Sequence, residues 1–287
     1  MPSPWFFYVT GHGIDSALRA DVFAQAKAFF GLPLETKSRW HVRHSGIMRG
    51  YDPNGWQSLD QGKPADIKES FYLGVDRGPD DALVRHGAPN HGPNQWPDET
   101  LVPGFKATTQ TYAHALAQLG RLLLSLLAES LQLPPAYFDA FLTDPMPVLR
   151  LLHYPPREHQ LLPGQVGSGA HTDWGSVTIL AQDGVGGLQV LCDGQWIDAP
   201  YVPDSFIINL GDLMARWSND RWRSSLHRVL PQEPGYERYS VAYFYDIDYH
   251  ASVSALPGCC DAEHPPRYPA ITAGQHIVEM YEKTTLG

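Results

Sequence analysis

In the stretch Gly169–Leu180, GAHTDWGSVTIL, a histidine and an aspartate stand two residues apart at the head of an apolar, β-branched run. Imidazole and carboxylate together suit a first-row divalent metal. Two histidines and one carboxylate on one face of the ion leave positions open for outside ligands, the usual arrangement for non-haem Fe(II). If the segment is extended, His171 and Asp173 project to the same side. The third ligand has to come from elsewhere among the 13 histidines. His227, in the apolar run Ser225–Leu230 (SLHRVL), is the candidate, because an unpaired imidazole is costly to bury there. For that residue alone, a hydrogen-bonded core histidine is the competing account.

A second chemical pattern is Arg238-Tyr-Ser240. Arg238 and Ser240 alternate onto one face of a strand, and an arginine facing inward among Val241–Phe244 has to find an anion, since it does not deprotonate. A guanidinium beside a hydroxyl suits a carboxylate. An internal pair with Asp212 is the alternative. Pocket walls are expected from His41–Trp56, Lys68–Tyr72 and Phe244–Asp246. The candidates there are Arg43, Arg49, Tyr51, Trp56, Lys68, Phe244 and Asp246, a set of rings and cations suited to a small, partly apolar molecule bearing an acid group. The alternative is that the rings pack helices on the barrel and the cations face solvent.

Elements able to position these residues are visible in the hydrophobic periodicity. Phe6–Val9 reads as part of a strand that begins at Trp5. From Asp15 to Phe30, Ala17, Leu18, Val22, Phe23, Ala26 and Phe30 recur at helical spacing, and Gly31-Leu-Pro33 closes the helix. A longer helix is expected from Phe105 to about Ser130, and a short one over Tyr137–Phe141. Residues 37–62 and 79–103 show no clear period. After residue 145 the chain changes character. Val148–Tyr154, Ser176–Leu180, Gly187–Leu191, Ser205–Leu210, Ser225–Leu230 and Tyr239–Tyr245 are short β-prone runs between Gly, Pro, Asp and Asn turns, a sandwich or jelly-roll signature. The expectation is one domain over 1–287, with a helical and irregular half (1–145) packed on a jelly-roll core (146–287).

Composition narrows the function classes. Apolar residues make up 43%, with 8 Trp, 14 Tyr and 11 Phe, which is enough for a sizeable core and argues against disorder. Thirty-one acidic residues against 21 basic ones give a net charge of -10, which speaks against nucleic acid or anionic lipid as a general partner. Three cysteines, two of them adjacent, are not a disulfide framework and point to a reducing, cytoplasmic setting. The opening residues lack a basic signal-peptide region. The apolar run Leu116–Ala128 is broken by Arg121 and falls short of the roughly 20 residues a membrane span needs. A monomer or weak homodimer is expected.

The chain resembles the Fe(II)/2-oxoglutarate-dependent oxygenases, in the isopenicillin N synthase-like branch. The matching stretches are Trp5–Ile14 (WFFYVTGHGI), His153–Arg157 (HYPPR), His171–Asp183 (HTDWGSVTILAQD), Gly186–Val190 (GGLQV), Ile208–Met214 (INLGDLM), Leu226–Val229 (LHRV) and Arg238–Phe244 (RYSVAYF), in family order over almost the whole chain. The resemblance implies an α+β fold with a double-stranded β-helix (cupin-like jelly roll). It implies His171, Asp173 and His227 as iron ligands, and Arg238 and Ser240, assisted by Tyr154, at the far carboxylate of 2-oxoglutarate. It also implies that Leu152 stands where many plant members carry an asparagine. The implied cofactors are Fe(II), 2-oxoglutarate and O2, and the implied reaction is oxidation, by default hydroxylation, of a small organic molecule with release of succinate and CO2. Two alternatives stay open on these residues: an isopenicillin N synthase-like oxidase that uses no 2-oxoglutarate, and a non-redox metal or small-molecule binder of the same fold.

Overall fold

A computed structural model describes residues 6–60, 62–157 and 160–285; Trp5, the expected start of the first strand, lies outside them. The chain opens with strand β1 (Phe6–Val9) and helix α1 (Ser16–Phe30), whose N-cap is the Asp15 carboxylate accepting from the Ala17 N–H. Single helical turns α2 (Leu34–Lys37) and α3 (Val42–Ser45) lead to β2 (Gly50–Asp52) and β3 (Glu69–Gly74). A further turn, α4 (Ala82–Arg85), precedes the long α5 (Phe105–Ser130). Then come β4 (Val148–Tyr154), β5 (Ser168–His171), β6 (Val177–Gln182), β7 (Leu188–Cys192), β8 (Gln195–Asp198) and β9 (Phe206–Leu210). Helix α6 (Asp212–Trp217), β10 (His227–Val229) and β11 (Arg238–Tyr245) follow, then the two-residue strands β12 (Ser252–Val253) and β13 (Ile271–Thr272) and helix α7 (Ala273–Thr285).

Two antiparallel sheets face one another. The larger runs β1-β9-β6-β11-β4-β3-β2, the smaller β5-β10-β7-β8. This is the jelly roll expected from the spacing of the β-prone runs. Side-chain alternation sorts the large sheet into two faces. Leu149, Leu151, Ile179, Ala181, Val241 and Tyr243 point outward into a core shared with α1 and α5. Leu152, Tyr154, Ile207 and Ala242 point inward and meet Leu188, Val190 and Val229 of the small sheet. Helix α5 can cover the outer face because Phe105, Thr109, Tyr112, Leu116, Leu119, Leu123 and Leu127 form one buried stripe at helical spacing. Gly120 lets that helix approach, since a Cβ there would lie 2.5 Å from Tyr245 Cδ1.

Residues 37–62, without a clear period, hold a set of short elements, α3 and β2 among them. Some expectations need correction: the irregular segment 79–103 contains the helical turn α4. Between β9 and β10 the chain forms α6, because Leu213, Met214 and Trp217 give it a buried face. The strand at His227 is only three residues long. Helix α7, which the periodicity does not announce, closes the chain beside the ligand loop: Tyr281 meets Trp174 edge to face at 5.0 Å.

Candidate active site

β5 ends at His171, and β10 places His227 directly opposite it. Their rings are 4.3 Å apart between centroids. Each Nδ1 sits on a backbone carbonyl, Gly169 O at 2.7 Å for His171 and Ser225 O at 3.0 Å for His227. A carbonyl only accepts, so both Nδ1 atoms carry the proton and both Nε2 lone pairs are free to ligate. Asp173 joins them from the loop after β5, not from the strand, which corrects the expectation that extended alternation aligns the pair. Thr178 and Asn209 both donate to its Oδ2 at 2.6 Å. That leaves Oδ1 4.0 Å from His171 Nε2 and 3.8 Å from His227 Nε2. The three ligand atoms lie within 4.8 Å of one another.

The protonation states suit a cation. Burial, then the neighbouring His227, pushes the His171 imidazole below its ordinary pKa. Burial alone would raise the Asp173 carboxyl, but the two imidazoles and the bonds from Asn209 and Thr178 outweigh it and hold it below the usual range. A buried carboxylate facing the Nε2 atoms of two Nδ1-bonded imidazoles is a donor set for a divalent metal.

Farther along the inner face lies a second polar position. Arg238 is 1% exposed, donates to Ser240 Oγ at 3.2 Å and Gln182 Oε1 at 3.1 Å, and lies over the Tyr154 ring at 4.8 Å. Its Nε has no partner, and no carboxylate among the described residues pairs with it. Asp212, the alternative partner, instead accepts from Thr172 at 3.0 Å. A desolvated guanidinium held by neutral acceptors and an aromatic face fits a carboxylate ligand.

Residues 145–247 match the 2OG-Fe(II) oxygenase superfamily, and residues 5–99 match the non-haem dioxygenase in morphine synthesis N-terminal family. The 2-oxoglutarate-Fe(II) type oxidoreductase hxnY of Emericella nidulans is 38% identical over 286 residues, covering 97% of this chain and 81% of that protein. The chain belongs to the 2OG-Fe(II) oxygenase superfamily. The 2-oxoglutarate-dependent dioxygenase citB of Monascus ruber is 43% identical over 256 residues, 86% of this chain and 77% of that one. The crystal structure of a full-length Neurospora crassa protein in complex with alpha-KG (2-oxoglutarate) and thymine superposes with a TM-score of 0.84 at 33% identity, over 98% of this chain and 88% of that one. The oxygenase is thus an Fe(II)- and 2-oxoglutarate-dependent dioxygenase that consumes O2. The relatives named as 2-oxoglutarate-dependent dioxygenases and the alpha-KG bound in the similar structure support the 2-oxoglutarate-dependent reading.

The expected pocket walls of the oxygenase fare unevenly. Phe244 points inward, beside Thr178 in the sheet register. Arg49 also reaches the inner face: its guanidinium fills the space where Gly74 lacks a Cβ, donating to Met48 O at 2.8 Å and Asn90 O at 2.5 Å. Asp246 is a loop-holding residue, accepting from the Ser176 N–H at 2.5 Å. Tyr51 is not a pocket residue. It alternates with Asp52 onto the outer face, bonds Glu69 at 2.5 Å and packs on Phe29. Arg43 and Trp56 stack on each other at 3.9 Å on the surface, where Trp56 is 44% exposed. Lys68 points inward, but its charge is met by Asp66. Absent from the expected set is Arg150 on β4, in phase with Leu152 and Tyr154 and therefore inside the barrel. The signal was present in VLRLLHY: a lone cation on the inward-facing period of an apolar strand.

No described helix is long and apolar enough to cross a membrane.

Proposed function

We propose that His171, Asp173 and His227 hold the iron, and that Arg238 and Ser240, against the Tyr154 ring, hold the far carboxylate of 2-oxoglutarate. The observation carrying this reading is the convergence of two Nδ1-bonded imidazoles on the free oxygen of a carboxylate anchored by Thr178 and Asn209. Bound iron, 2-oxoglutarate and O2 supply the oxidising power: one C–H of the substrate, O2 and 2-oxoglutarate become an alcohol, succinate and CO2. The chain's own residues do the positioning. The carbonyls of Gly169 and Ser225 orient the imidazoles, Thr178 and Asn209 turn one Asp173 oxygen toward them, and Arg238 neutralises a dicarboxylate that the apolar interior would otherwise reject.

The substrate is a small molecule admitted from the side where His171, Leu180, Phe244 and Val148 are only partly buried. Thymine in the related Neurospora crassa structure supports a ring-sized compound. Hydroxylation is the outcome we assign. The net charge of -10 supports a protein that does not act on nucleic acid, and three free cysteines support a reducing cytoplasm. We further read the chain as a single domain, acting as a monomer or weak homodimer.

The test is Asp173→Ala. Iron content should fall from stoichiometric to near zero, and succinate formation should stop while the fold is kept. A variant that retained full iron and activity would place the centre elsewhere.

A further inference from the structure

Among the described residues, Lys68, Arg49 and Arg150 face the inside of the large sheet besides Arg238, and they differ in what already occupies them. Lys68 is neutralised by Asp66. Arg49 is stoppered by two backbone carbonyls. Arg150 is bound by neutral side chains alone. Its Nε donates to Ser70 Oγ at 3.1 Å, and its Nη2 to Ser70 Oγ at 2.9 Å and Gln57 Oε1 at 3.0 Å. Its guanidinium lies 4.6 Å over the Tyr72 ring, and Gln57 in turn donates to the Tyr72 hydroxyl at 3.0 Å. The residue is 9% exposed, and no carboxylate among the described residues pairs with it. Asp52 shares the inner face, opposite Ser70, without forming an ion pair to it. The Nη1 group is left with no partner in the chain among the described residues.

Position says which ligand that group would meet. Arg150 stands opposite Ala242, and Arg238 opposite Tyr154 four residues further along β4, about 13 Å at the usual strand rise. The 2-oxoglutarate carboxylate is assigned to the Arg238 end. Arg150 lies toward the other end, next to Phe244, whose neighbour Thr178 bonds Asp173. The barrel therefore has the Arg238 guanidinium toward one end, and Arg150 with the carbonyl-capped Arg49 toward the other, where Thr178 beside Phe244 holds Asp173. A guanidinium only 9% exposed, immobilised by Ser70 and Gln57 and lying over the Tyr72 ring, keeps its Nη1 donors open to an anion.

We propose that Arg150 binds a carboxylate of the primary substrate, and that the substrate class is small carboxylic acids with a ring or short apolar body resting on Phe244. This rests on the oxygenase reading above and goes beyond it by naming the recognised group. Gln57 and Ser70 act as positioning residues that hold the guanidinium toward the barrel axis.

The experiment is anaerobic calorimetry on iron-loaded oxygenase saturated with 2-oxoglutarate, titrated with benzoate, phenylacetate, cinnamate and cyclohexanecarboxylate, and with the neutral amide of each. At least one acid is expected to bind, with its amide at least about thirty-fold weaker, the size of effect seen when one member of a desolvated charge pair is removed. Arg150→Gln should erase that preference while 2-oxoglutarate affinity, measured in the same cell, stays unchanged. Amides binding as well as acids, no acid binding, or a preference that survives Arg150→Gln overturns the proposal. The wild-type comparison decides it even if the variant does not fold. Loss of 2-oxoglutarate binding by the wild type would instead sink the cofactor assignment, so the two failures are told apart.

Discussion

Asp52 illustrates how much a single buried group contributes to the pH response. It is 3% exposed and its Oδ1 has no partner. Burial raises its carboxyl to about 6, against the pull of Arg150 and Lys68. The folded protein thus holds that proton more tightly than the unfolded chain does. The resulting stability is present below about pH 4 and is lost as pH rises through 6. Asp52→Asn should therefore be the more stable protein at pH 7.5, by up to about 3 kcal/mol, with the difference vanishing near pH 4. Thermal unfolding of both proteins across that range checks it; a difference that grows toward acid pH contradicts it. A second residue-scale expectation concerns Arg238. Arg238→Gln should weaken 2-oxoglutarate binding by about 2–5 kcal/mol and leave iron stoichiometry intact, as read by calorimetry. Equal affinity in the variant would move the cosubstrate pocket away from β11.

At the scale of elements, the turn from β9 into α6 clasps the loop that carries Asp173. The Asp212 N–H donates to Asp173 O at 2.8 Å and the Gly211 N–H to Ser176 O at 2.9 Å. A Cβ on Gly211 would collide with Gly175 O and lie 2.8 Å from Asp173 O, backbone atoms that cannot swing aside. The residue's φ of -92° is ordinary, so the demand is for space and not for an unusual backbone. Gly211→Ala should displace the 173–176 loop. We expect at least a tenfold loss of iron affinity and a destabilisation of about 1–3 kcal/mol, the usual cost of overpacking. Iron titration followed by unfolding separates the two effects, and unchanged iron affinity would show that the loop tolerates the shift. The INLGDLM stretch was legible as family resemblance. The clasp itself was not, because it joins residues 211 and 212 to 173–176 through backbone atoms that carry no sequence signal.

For the whole molecule, the charge balance sets the expected partners. With a net charge of -10 the oxygenase should show no salt-sensitive binding to single- or double-stranded DNA or RNA at micromolar concentration in fluorescence anisotropy. Affinity that fell steeply with added salt would expose a local basic surface strong enough to overcome that charge. Arg216, Arg221, Arg223 and Arg267 do line one cleft between α6 and α7, but Asp212, Asp220, Asp261, Glu263 and Glu279 line it too.

Sequence alone determined the jelly roll, because two-residue alternation and regular turn residues are local properties of the chain. It also pointed to His171, Asp173, His227, Arg238 and Ser240, whose residue types carry their chemistry wherever they sit. It did not separate Lys68, neutralised by Asp66, from Arg150, left to neutral partners, since an arginine or lysine reads the same whether or not a carboxylate folds against it. It placed Tyr51 and Trp56 in the pocket because rings near a site look like walls until the register shows which face they take. A one-residue difference in phase sends Tyr51 to the outer core and Asp52 to the inner face. Such phase and partner relations arise when strands distant in sequence pair, and only the tertiary structure decides them.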